Sequence, residues 1–294
     1  MLSPAANANL ILSGVIVKSI RCDVPNSLYA ALDQRAAADG VSRDHLIVDA
    51  LAKHLGQPLH TLFQVSTSAA LVEGLYQGAV QVARLLRHGD FGLGTFVDLA
   101  GEMVVLDGVC YQIDPSGVVA TVEGERFIPY AVVTRFTAEN SKPYSQIASF
   151  GDLVAACDAI RTSENLFYAF RVEGRFASVK TRAMRAVTAG TGLKEAAGAQ
   201  EEFMFNEIDG ILVGIWSPAF AKSFSVPGYH FHFLSKDRRH GGHVLACQAG
   251  NVTIKSCAMG EMHVSLPETE QFLRADLSRD PNDELQSAEQ DHSS

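Results

Sequence analysis

Three histidines carry the first chemical signal in this chain. His230 and His232 occupy alternate positions of the run Tyr229-His230-Phe231-His232-Phe233. Side chains at i and i+2 of a β-strand leave the same face, so both imidazoles project together and the three aromatic rings project the other way. His243 follows Gly241-Gly242 and opens the next predicted strand. A hairpin turning over residues 236–242 brings it back beside the His-x-His face. Three neutral imidazoles with room for a further ligand are the donor set of a catalytic divalent-metal site, most often zinc. A lone histidine would read as structural; the returning third one favours a metal. His240 shares the predicted turn with Arg238 and Arg239 and reads as solvated, while His45, His54, His60, His88 and His263 have no comparable partners.

The block HGDFGLGTFVDLAGEMVVLDGVCYQI (88–113) is the second signal. Its glycines at 89, 92, 94, 101 and 108 suit tight turns or a close approach of backbone to a ligand. Residue type alone decides little about the charged groups nearby. Glu102 reads equally well as an exposed strand carboxylate, and Arg182 as a surface cation. Glu289, so close to the end of the chain, reads as solvated.

The elements that must hold these side chains are mostly strands. Residues 61–87 read as a strand, then a helix carrying Leu71, Leu75 and Val80, then a short helix through Leu85-Leu86. A meander follows, with strands at 95–96, 103–106, 109–113, 118–122 and 131–136 separated by glycine-rich turns. A helix over 150–161 precedes strands at 167–172, 176–181, 208–216, 228–235, 243–248, 252–257 and 262–266. The acidic tail from Glu268 has helical spacing. The expected class is α+β, with mixed and antiparallel sheets.

Taken together with GYHFHFLSKDRRHGGHV, the glycine-rich block resembles the alpha-acetolactate decarboxylase family. The segments STSAALVEGLYQG, PYAVVTRF, FRVEGRFASVKTR and VGIWSPAFAKSFSVPGYHFHFLS extend the likeness, in order, over about residues 60–290. The resemblance implies conversion of (S)-2-acetolactate to (R)-acetoin and carbon dioxide with zinc (Zn2+) held by His230, His232 and His243. It also implies Glu102, Arg182 and Glu289 as active-site residues and Thr95 as a pocket residue that, with Arg182, meets the substrate. Glu284 lies one turn from Glu289 and competes for its place. Which of Glu102, Glu289 and Arg182 delivers the proton stays open. A three-histidine metal site with a nearby glutamate also suits a metal-dependent hydrolase.

Residues 1–14 read as a flexible tail, 15–57 as a separate appendage and 58–294 as the catalytic body. The appendage, IRCDVPNSLYAALDQRAAADGVSRDHLIVDALAKHLG, has Ile20, Cys22 and Val24 alternating as a strand. Two helices follow, with Gly40 closing the first and Ser42 capping the second. It resembles ribbon-helix-helix domains, which implies a paired dimer and, in that family, DNA reading. Here the outward positions would be Ser19, Arg21 and Asp23, and the acidic one opposes phosphate; dimerisation is the favoured role, with a ligand-sensing DNA-binding regulator as the rival.

The 294 residues are 47% hydrophobic and 19% charged, enough apolar material for a large core and too much for a disordered chain. With 24 basic against 33 acidic side chains the net charge is −9, which does not draw the molecule to nucleic acid as a whole. No apolar run is long enough to cross a bilayer and no secretory signal is expected. Five scattered cysteines without a CxxC pair suggest reduced, mostly buried thiols in the cytoplasm.

Overall fold

The computed structural model describes residues 20–39, 42–55, 61–188, 190–198 and 200–289. The expected tail at 1–14, the start of the expected ribbon through Ser19 and the cap at Gly40 lie outside them. The chain divides into two compact units, 1–59 and 60–294.

The first unit holds helices α1 (Asn26–Asp39) and α2 (Arg43–His54). The Pro25 carbonyl starts α1 by accepting from the N–H groups of Leu28 and Tyr29. Among its described residues only Ala36 is buried, whereas Leu28, Tyr29, Val48 and Leu51 are exposed. The expected strand at Ile20–Val24 is not formed: the segment has no regular structure. A strand needs a ladder partner for its backbone groups, and none of the described residues supplies one.

The second unit begins with β1 (Thr61–Val65), α3 (Ser68–Val72), β2 (Val80–Gln81), α4 (Val82–His88) and β3 (Phe91–Thr95). Next come β4 (Glu102–Leu106), β5 (Val109–Ile113), β6 (Val119–Thr121), β7 (Phe127–Ile128), β8 (Tyr130–Thr134) and β9 (Asn140–Tyr144). Helix α5 (Phe150–Asp158) leads to β10 (Phe167–Ala183), α6 (Leu193–Ala197), β11 (Glu201–Ser217), β12 (Gly228–Ser235), β13 (Gly241–Met259) and β14 (Glu261–Ser265). Helices α7 (Glu270–Arg274) and α8 (Asn282–Glu289) close the described chain.

Two sheets dominate, as the expected α+β class requires. One is seven-stranded in the order β14-β1-β8-β3-β4-β5-β6, antiparallel except for the parallel pair β1–β14. The other runs β10-β11-β12-β13-β9 and closes on itself, because β10 also pairs with β13. Leu62, Leu93, Val104 and Val132 of the first sheet share one buried core with Ala169, Val213, Ile215 and Leu234 of the second. The outer face of the first sheet packs Phe63, Met103 and Val105 against Val82 and Leu85 of α4. Inside the second, Phe170, Phe231 and Phe233 pack with Leu153 and Cys157 of α5.

Several expectations change. The helix expected to carry Leu75 and Val80 stops at Val72, where Gly74 takes a φ of 74° and turns the chain. Five of the expected strands belong to three longer ones, β10, β11 and β13. The strands expected to end at 172 and 248 continue through Gly174 and Gly250, with register shifts near Gly174. Strand β9 has no apolar alternation to announce it; it is an edge strand whose Pro143 needs no ladder donor.

Candidate metal centre and substrate pocket

The aromatic side of β12 explains how the histidine side is aimed. A Cβ added to Gly214 of β11 would meet the Phe231 ring at 2.1 Å, and one added to Gly210 would meet Phe233 at 2.3 Å. Those bare backbone positions seat the two rings, and the seated rings fix which face of β12 turns toward the first sheet. His230 and His232 emerge on that opposite face, as the alternation predicts. His243 of β13 lies directly across the ladder from His232, and Arg182 of β10 lies directly across from His243. Three neighbouring strands thus deliver four candidate side chains to one place.

One ligand nitrogen from each histidine lies within 4.8 Å of the others. His230 Nε2 is 3.0 Å from His232 Nε2 and 3.0 Å from His243 Nδ1. The other nitrogen of His232, Nδ1, donates to the Met103 carbonyl at 2.7 Å. That bond fixes the tautomer and puts the Nε2 lone pair on the side of His230 and Glu102, the arrangement in which an outer-shell carbonyl orients a histidine suited to ligate a metal. Burial, helped by the Arg182 guanidinium, lowers His230 to about 3, so its ring is neutral and able to donate. These residues fit a divalent cation.

Glu102 reaches the same point from the first sheet. It is 5% exposed, which removes the exposed-carboxylate reading. Its Oε1 accepts from the Met184 N–H at 3.3 Å, and Oε2 lies 3.6 Å from His232 Nε2. Thr95 pairs with Glu102 across β3–β4, and its hydroxyl donates to the Gly101 carbonyl at 2.9 Å. The tight turn before Glu102 is tied down in this way, with the Gly101 N–H also donating to the Met184 carbonyl. Arg182 is likewise 5% exposed and is no surface cation; its Nη1 donates to Gln200 Oε1 at 2.8 Å.

Thr95, Glu102, Arg182 and the three histidines all line a single pocket. Its remaining wall is apolar, with Leu71, Leu99, Leu193, Val226 and Leu285. Sequence reasoning assigned none of these a role, because a buried leucine in a helical pattern looks the same whether it faces core or pocket. Tyr130 also lines the pocket and stands inside the PYAVVTRF motif, where the signal was available. Glu289 is the last residue of α8, and its side chain falls outside the described ones. Its rival Glu284 lies 3.9 Å from Arg279 and does not line the pocket.

Residues 62–279 match the alpha-acetolactate decarboxylase family profile. The chain belongs to that family. Among its relatives, the alpha-acetolactate decarboxylase of Methanosarcina mazei is 39% identical over 231 residues, covering 78% of this chain and 80% of that protein. The Methylococcus capsulatus enzyme is 37% identical, covering 80% and 91% respectively. The crystal structure of alpha-acetolactate decarboxylase from Bacillus subtilis superposes with a TM-score of 0.76 at 30% identity, covering 79% of this chain and all of that one. The expected fold is therefore the family's, and the match leaves the N-terminal unit outside it.

Proposed function

We propose that this protein is an acetolactate decarboxylase, a carboxy-lyase that converts (S)-2-acetolactate to (R)-acetoin and carbon dioxide in acetoin and butanediol biosynthesis. The observation that carries the reading is the convergence, in a member of this family, of three histidines with a buried glutamate and a buried arginine on one pocket. His230, His232 and His243 would hold zinc, which would supply Lewis acidity to the negative charge that develops on the substrate.

The remaining work falls to the protein's own groups. Arg182 binds the substrate carboxylate and sets the bond to be broken against the ketone. When carbon dioxide leaves, the electron pair of that bond moves toward the ketone oxygen and gives an enediolate. Glu102, with one oxygen pinned by the Met184 N–H, holds a proton for the carbon that lost carbon dioxide. Glu289, one helical turn beyond the pocket residue Leu285, is the second acidic group assigned to the site. Thr95 keeps the Glu102 turn in place from the substrate side, and the leucine wall excludes water while protonation proceeds on one face.

The test is product analysis. Zinc-loaded protein given racemic acetolactate should release carbon dioxide and leave (R)-acetoin, read by gas release and chiral chromatography. Absence of both would refute the assignment.

Residues 15–57 are assigned to assembly and not to chemistry, as the contact that joins two copies in a homodimer. The apolar side chains its helices expose support this, as does the inability of about 40 residues to close a core alone. Nucleic acid is not a proposed partner. Cys110, Cys157, Cys247 and Cys257 are free and buried, consistent with a cytoplasmic protein, and no described helix is long and apolar enough to cross a membrane.

A further inference from the structure

The buried guanidinium of Arg182 has one nitrogen spoken for and one bare. Nη1 donates to Gln200 Oε1 at 2.8 Å, whereas Nε is buried and has no partner. A buried N–H without an acceptor is costly unless a ligand supplies one. Gln200 stands between α6 and β11, and its own amide is held from behind. Its Nε2 donates to Glu202 Oε1 at 3.2 Å, and Glu202 Oε2 pairs with Lys180 Nζ at 3.1 Å. A carboxylate can only accept, so Glu202 settles the orientation of the amide: the NH2 end faces Glu202 and the carbonyl end faces Arg182.

We propose that Gln200 is a positioning residue for the decarboxylation: by capping Nη1 it turns the Nε side of Arg182 toward the substrate carboxylate, with Glu202 and Lys180 holding Gln200 in that role. This rests on the functional reading above, in which Arg182 grips the carboxylate. The planar fork has five donors in fixed directions. Holding one end of it by Gln200 restricts how the guanidinium can turn and so fixes the direction in which its remaining donors are offered. Gln200 touches no reacting atom. Its effect passes through Arg182, so it should appear in carboxylate binding and leave metal content alone.

The test compares full-length, zinc-loaded wild type with Gln200→Met, which keeps the length of the side chain without an acceptor, and Gln200→Glu, which restores one. Two quantities are read: KM and kcat for acetolactate, and calorimetric affinity for 2-hydroxyisobutyrate, which keeps the carboxylate and tertiary hydroxyl but lacks the ketone that accepts electrons. Gln200→Met should weaken 2-hydroxyisobutyrate binding and raise KM by roughly tenfold, the order of one hydrogen bond to a charged group, with zinc content unchanged. Gln200→Glu should recover most of that loss. Glu202→Ala should impair wild type but add nothing to Gln200→Met, since it acts only through the amide. If Gln200→Met binds and turns over like wild type, the positioning role is wrong while the decarboxylase reading stands. If wild type itself releases no carbon dioxide from acetolactate, both fall together.

Discussion

Gly101 offers the sharpest check on how the Glu102 carboxylate is held. Its φ is 91°, a region that side-chain-bearing residues avoid, and an added Cβ would sit 2.2 Å from the Ile113 carbonyl oxygen. Gly101→Ala therefore carries two penalties. The backbone conformation costs about 1–2 kcal/mol for an L-residue. Relieving the overlap requires strand β4 to move away from β5, at about 1–3 kcal/mol by the usual cost of overpacking. The sum is about 2–5 kcal/mol, a lowering of Tm by roughly 4–20 °C for a body of this size. Gly108 is the control, because it has a comparable φ of 79° with nothing within 4 Å of an added Cβ. Gly108→Ala should lose only the first contribution, about 1–2 kcal/mol. The two variants also separate stability from function. Gly101 directly precedes Glu102 and its carbonyl anchors Thr95, so Gly101→Ala should lose decarboxylation in the fraction that remains folded, whereas Gly108→Ala should retain it. Calorimetry and a carbon dioxide release assay below both transition temperatures measure these effects. Equal Tm and equal activity for the two variants would refute the reasoning.

Other outcomes follow from the same geometry. His232→Ala should drop zinc from about one per chain to near zero by elemental analysis, since it removes one of three ligands. Glu102→Gln should keep zinc yet lower kcat by about 100-fold or more, the scale of general acid–base catalysis, and Arg182→Lys should not restore what Arg182→Ala loses because an ammonium lacks the planar fork. Burial pushes Glu173 up, but hydrogen bonds from Lys255 and Arg171 outweigh it and hold the carboxyl below its ordinary range. A depressed carboxylate contributes stability above its unfolded value and loses it as pH falls through the folded one, so Glu173→Gln should cost about 1 kcal/mol at neutral pH and progressively less below about pH 4. Deleting residues 1–57 should change the oligomeric mass seen by light scattering while zinc content and acetoin formation persist; an unchanged mass would remove the assembly role.

The three-histidine group is legible in the amino-acid order because its signal is local. The two-residue period of a strand places His230 with His232, and a short hairpin returns His243; both depend only on neighbours in sequence. The helix starts are of the same kind: Ser149 accepts from the Asp152 N–H, and Thr269 from Phe272. The expectation that Glu102 and Arg182 belong to the site comes from the family likeness, since an acid in a strand or a base beside a threonine has no local mark of burial. What the tertiary structure alone decided are the meetings between distant segments. The Met103 carbonyl that sets the His232 tautomer lies 129 residues away in sequence, on another sheet. Leu71, Leu193 and Leu285 become one wall only when α3, α6 and α8 converge. Gln200 gains its place because β11 brings Glu202 opposite Arg182. The long strands β10 and β13 run through glycines that punctuate the sequence, because a cross-strand ladder outweighs the local tendency to turn. Short-range periodicity is written residue by residue, whereas the partner of a buried polar atom depends on how two sheets pack, and that is a property of the whole chain.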